Sequence, residues 1–105
     1  MIVIFDRKGL TPLLSLEVGS LRDADLCNAQ LKHANLVQFD LSGANLQKAN
    51  LSMADLRLAN LSHVNLRGAD LTGADLTGAD LTDTILNGAN LDGTHLDNAQ
   101  IVTLR

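Results

Sequence analysis

A chain of 105 residues that is 46% hydrophobic has room for one domain with a buried core, and its composition excludes a disordered protein. It has no Trp or Tyr and only Phe5 and Phe39, so the core must be built from small aliphatic groups. A net charge of −4, with no basic patch interleaved with aromatic residues, excludes direct nucleic-acid binding.

The lone Cys27 rules out an internal disulfide and points to a reducing, cytoplasmic setting. No apolar run approaches membrane-spanning length, and the opening MIVIF is too short and too poor in basic residues for a secretory leader.

In chain order, residues 1–18 come first. IVIF, then DRKG, then LTPLLSLEV read as strand, turn and strand, a β-hairpin with Gly9 supplying the positive φ.

From Leu21 to Leu96 a leucine falls at every fifth position, sixteen times without a miss, and Ile101 continues the series. Every alanine in the chain lies two residues before one of these positions. In an extended segment a spacing of two puts both side chains on one face, so alanine and leucine point inward and the residue between them points out. That outward residue is Asp or Asn in most repeats, which suits water.

A period of five fits neither a helix, around which the leucines would smear, nor a long strand, in which they would alternate faces. The chain must therefore turn a corner in each repeat. Two residues after the leucines stand Gly43, Gly68, Gly73, Gly78, Gly88 and Gly93, with Asn28, Asn98, Asp23, Asp83, His33 and His63. These types tolerate the left-handed backbone that the third residue of a type II turn requires. Gln38, Lys48, Met53 and Leu58 break the preference, and other turn types are expected there.

The tandem motif A(D/N)LXX, as in ADLTGADLTGADLT from Ala69 to Thr82, resembles the pentapeptide repeat family over roughly residues 19–103. The resemblance implies an all-β fold, a right-handed quadrilateral parallel β-helix of about four coils over residues 19–105, with residues 1–18 as an N-terminal β-hairpin cap. Residues twenty apart then stack along the axis. Phe39, in a slot normally held by alanine, is expected to fill the core as a wedge balanced by Gly19 in the coil before it.

Several chemistries can be weighed residue by residue. Asp70, Asp75 and Asp80 fall on successive sides of a four-sided helix and cannot converge on a calcium ion. Stacking sets His63 beside Asp83, His33 beside Met53 and His95 beside Asp75, with no nucleophile or third ligand near, so no metal, cofactor or catalytic residue is assigned. Thr72, Thr77 and Thr82 occupy three different sides and make no ice-binding array. Cys27 is expected to be an ordinary solvent-facing thiol.

Val37, Met53, Leu58 and Ile85 are apolar where the pattern is otherwise polar. The first three lie on adjoining sides and are the candidate partner patch. The expected function is a non-enzymatic interaction or structural module, a rigid solenoid that presents polar faces to a protein partner, because a core filled with leucine and alanine leaves no substrate pocket. The alternative is a DNA-mimicking inhibitor or protector of a type II topoisomerase (gyrase), a role that the resemblance implies for some members. Asp40 and Asp80 on one face and Asp55 and Asp75 on another would be its acids. The acidity is concentrated late: residues 69–105 carry six Asp/Glu and only Arg105 as a cation. Leu96, Ile101, Val102 and Leu104 form an expected apolar end through which two copies would meet as a weak homodimer.

Overall fold

The computed structural model describes residues 1–101. Strand β1 (Ile2–Phe5) pairs antiparallel with β2 (Pro12–Leu16), with Ile2 opposite Leu16 and Ile4 opposite Leu14, and an irregularity between Ile4 and Phe5. The connecting turn closes on Asp6. Its N–H donates to the Thr11 carbonyl at 2.8 Å, and its Oδ1 accepts from the N–H groups of Leu10 and Thr11 at 2.8 and 3.1 Å. Those backbone donors hold the Asp6 carboxyl below the usual range. Gly9 has φ +73°, the positive value its place in the turn demands.

Beyond the hairpin the chain winds as a four-sided parallel β-helix. Residues twenty apart form parallel bridges, from Asp25 with Asn45 through to Asp80 with Gln100. Besides a bond from a corner residue's N–H to the coil ahead, as from Gly43 to Ser62 at 2.9 Å, two hydrogen bonds recur along each side. The leucine N–H donates to a carbonyl nineteen residues ahead, as Leu56 does to Asp75 at 2.8 Å, and the outward residue's N–H donates to a carbonyl twenty-one residues back, as Asp55 does to Ala34 at 2.9 Å. Each inner coil is thus bonded to both its neighbours, so the backbone finds partners although the sides of the described coils are only single-residue bridges.

The sixteen corners among the described residues share one geometry. In each, the leucine carbonyl accepts the N–H of the residue three ahead at 2.9–3.2 Å, and the third residue of the turn has positive φ. These are the marks of a type II turn. The expectation of other turns at Gln38, Lys48, Met53 and Leu58 is overturned, since their φ values are 61°, 57°, 59° and 62°. Coils stacked in register cannot change turn type at one corner without shifting the sides on both sides of it. The stacked ladder therefore imposes the left-handed backbone on residues that do not favour it, at a cost of about 1–2 kcal/mol each.

Packing offsets some of that cost. Stacking puts Lys48 beside Gly68, Met53 beside Gly73 and Leu58 beside Gly78. Met53 and Leu58 reach into the place where a Cβ on the glycine would sit, whereas Lys48 Cγ lies 3.4 Å from that point, in ordinary contact.

The core consists of stacked leucines and alanines. From Leu31 to Leu81 each inward leucine is at most 2% exposed and contributes roughly 1.5–3 kcal/mol by leaving water. Val64 and Thr84 take alanine slots and are fully buried, and the Thr84 hydroxyl donates to the Leu61 carbonyl at 2.9 Å. Burial falls off at both ends: Ala24 and Ala29 are half-buried, and Leu91 and Leu96 are over a third exposed.

The hairpin covers part of the first coil. Ile4 is fully buried in the core, Phe5 O accepts from Asn35 N–H, and Arg7 N–H donates to His33 O, both at 2.8 Å. Phe39 is not the filled-core wedge expected. It is half-buried at the margin of the core, and Gly19 is exposed and has no atom near the place of its missing Cβ. The bridges begin at Asp25 and Asn45, so Gly19 lies before the stacked ladder and does not lid the ring.

Candidate protein-interaction surface

The outward Asp and Asn residues do more than face water. In most repeats the side-chain Oδ1 accepts the N–H of the residue two ahead, as at Asp70 with Thr72 and Asp80 with Thr82, both at 3.0 Å. Where that second residue is Ser or Thr, its hydroxyl donates to the same oxygen, as Ser52 does to Asn50 at 2.6 Å. This local bond satisfies an N–H that the ladder does not use, and it explains why Asp and Asn interchange at the position. The hydroxyl bonds also hold the carboxyls of Asp40, Asp70 and Asp75 below the usual range.

One side adds an ion pair to this pattern, the Arg57 N–H still donating to Asp55 Oδ1 at 3.3 Å. Asp55 is 5% exposed, and Arg57 grips it with two bonds of 2.8 Å, Nε to Oδ1 and Nη2 to Oδ2. That fork is the main cause of the lowered Asp55 carboxyl, and it orients a guanidinium whose side chain remains 53% exposed. Val37 precedes Arg57 by one coil on the same side and is half-buried. Met53 and Leu58 occupy the two corners that bound the side, 40% and 58% exposed. Val37, Met53 and Leu58 therefore do not form an unbroken apolar patch; they frame a fixed arginine. Sequence reasoning missed Arg57, although an Asp-Leu-Arg triplet in place of Asp-Leu-Thr was its visible signal.

The remaining candidates lie apart. Bridges place Asp40 and Asp80 on one side with Asn60 between them, and Asp55 directly against Asp75 on another. Arg57 pairs with Asp55, and Arg22 stands 3.7 Å from Asp40. His63 Nδ1 is 3.7 Å from Asp83 Oδ2, the histidine exposed and the aspartate half-buried. Among the described residues no three His, Cys, Asp or Glu side chains converge. Cys27 is exposed, and Asn28 Nδ2 donates to its Sγ at 3.3 Å. Ile85 is half-buried. At the last coil Leu96 and Ile101 are 38% and 47% exposed beside a cavity of about 30 Å³ lined by leucines; Val102 and Leu104 lie outside the described residues. No helix among the described residues is long and apolar enough to cross a membrane.

A four-sided coil with a leucine on every side and a type II turn at every corner defines a class, the quadrilateral β-helical repeat proteins. The chain belongs to the pentapeptide repeat family: the family model described as Pentapeptide repeats (8 copies) matches residues 24–62 and 59–98. Members of this family form right-handed quadrilateral β-helices, and that is the fold here. Among solved structures, the chain is similar to a pentapeptide repeat protein from the Arabidopsis thaliana thylakoid lumen, with 33% identity and a TM-score of 0.67 over 81% of this chain and 63% of that one. It is also similar to the pentapeptide repeat protein alr5209 from Nostoc PCC 7120, with 40% identity and a TM-score of 0.53 over 74% of this chain and 64% of that one. The chain thus spans less than two thirds of the length of either. A search of curated proteins gave no match.

Proposed function

We propose that this chain is a non-enzymatic protein-binding module and that its contact surface is the side carrying Val37 and Arg57 between the corners Met53 and Leu58. The supporting observation is Arg57 itself, locked by Asp55 and flanked by exposed apolar side chains. A preordered arginine surrounded by apolar groups is the composition of binding hot spots, because little side-chain entropy is left to lose on contact. The interior gives no support to an enzymatic reading, since Leu and Ala fill the described coils from side to side.

DNA mimicry of the kind that would engage a type II topoisomerase has weaker support. Its acids are partly neutralised by Arg57 and Arg22, and their Oδ1 atoms turn back to the backbone instead of projecting like phosphates.

Affinity capture from the native cell should retain one or more proteins on the intact chain and lose them on Leu58→Glu and Arg57→Ala, both checked for native circular dichroism. Retention of the same proteins by both variants would overturn the assignment of this side.

A further inference from the structure

A cleft of about 750 Å³ lies between the hairpin turn and the corner formed by His33 and Met53. Three of the eight Lys/Arg residues of this acidic protein, Arg7, Lys8 and Lys32, line it, and Leu13 and Met53 add apolar surface. Arg7 is tethered there, with Nη1 donating to the Met53 carbonyl at 3.4 Å. Asp6 is the one carboxylate in the lining, and its Oδ1 is occupied by the turn's own N–H groups. The cleft is thus cationic at the rim with an apolar wall.

Beside it runs an open β-edge. In the first coil the Asn35 N–H is taken by Phe5 of the hairpin, but among the described residues the Gln30 N–H has no acceptor. Every later coil shows where that N–H points, since Asn50 donates to Ala29 and Asp70 to Ala49, each in the preceding coil. Lys32 stands two residues along the same side.

We infer that this cleft docks an extended acidic segment of a partner protein, whose carboxylates meet Arg7, Lys8 and Lys32 while its backbone pairs at Gln30 and an apolar side chain rests on Met53 and Leu13. Charge complementarity selects an acidic occupant, and the unpaired edge selects an extended one. The inference rests on the reading of the chain as a binding module, but it uses a different surface from the Arg57 side apart from Met53, so the two can fail separately.

A short fluorescein-labelled peptide of alternating Glu and Leu, followed by fluorescence anisotropy, tests it. Binding should weaken with added salt and fall about tenfold or more in Lys8→Glu/Lys32→Glu, two exposed positions whose replacement leaves the core intact. The Leu58→Glu variant should bind as the unaltered chain does, and a Gln–Leu peptide should not bind. The inference is overturned by an absence of binding, by equal binding of the Gln–Leu peptide, by an unaffected Lys8→Glu/Lys32→Glu variant, or by full displacement with inorganic phosphate at the peptide's own concentration. Loss of this binding alone, with Leu58-dependent capture intact, would remove the cleft and leave the Arg57 side standing.

Discussion

Leu58 lies over Gly78. Its Cδ2 sits 2.7 Å from the point a Cβ on Gly78 would occupy, so the corner side chain of one coil fills the space left by the glycine of the next. The corner that breaks the sequence preference and the glycine that obeys it form one packing unit.

Gly78→Ala should therefore cost more than Gly88→Ala. Both place an alanine at positive φ, for about 1–2 kcal/mol, but only at Gly78 does the new methyl meet a side chain, whereas at Gly88 the nearest neighbour is the Gly68 backbone at 3.8 Å. Denaturant melts should show a further loss of about 1 kcal/mol or more at Gly78, and adding Leu58→Gly should abolish that excess. Equal losses at the two glycines would show that the contact carries no strain.

Gln38→Gly should stabilise the protein by roughly 1 kcal/mol, since glycine accepts φ 61° without the Cβ penalty. Gln38 is exposed, so little packing is lost in exchange. A lowered melting temperature would contradict the account of the corners.

Phe39→Ala should cost roughly 1–2 kcal/mol, below the range of about 3–5 kcal/mol for a fully enclosed ring, because Phe39 is half-buried at the edge of the core. Urea titration of the purified variant measures this directly.

Stability should fall in acid. Asp40, Asp55, Asp70 and Asp75 all have lowered carboxyl pKa values in the fold, so their contribution is present in full above the unfolded value of about 3.9 and is lost as pH drops through the lower folded values. The double variant Asp70→Asn/Asp75→Asn keeps an oxygen that can accept the same N–H, as Asn does in neighbouring repeats, but cannot titrate. Its melting temperature should decline less steeply below about pH 4 than that of the unaltered chain. Parallel curves would remove these two carboxyls from the explanation.

A DNA supercoiling assay with purified gyrase should show no inhibition by the intact chain. Salt-sensitive inhibition that Asp75→Asn and Asp80→Asn weaken would favour mimicry over the binding-module reading.

The amino-acid sequence alone determined the coil, because a leucine at every fifth residue with a small residue two before it can be buried on both positions only by a chain that turns a corner each time. It also identified glycine-rich corners, and the family resemblance, through the stacking interval of twenty that it implies, paired His63 with Asp83. Three features were decided only in three dimensions. The uniform left-handed backbone at Gln38, Lys48, Met53 and Leu58 comes from bonds to neighbouring coils, which outweigh the local preference of any single residue. The turning back of Asp and Asn onto the backbone depends on an N–H that the ladder leaves over, and nothing in composition shows which N–H that is. The partial exposure of Phe39 follows from where the stack begins, since a side chain is enclosed only when coils lie on both sides of it. The period is a local property written in every repeat, whereas burial, register and the direction of a side chain belong to the stack, which exists only once separate turns have met.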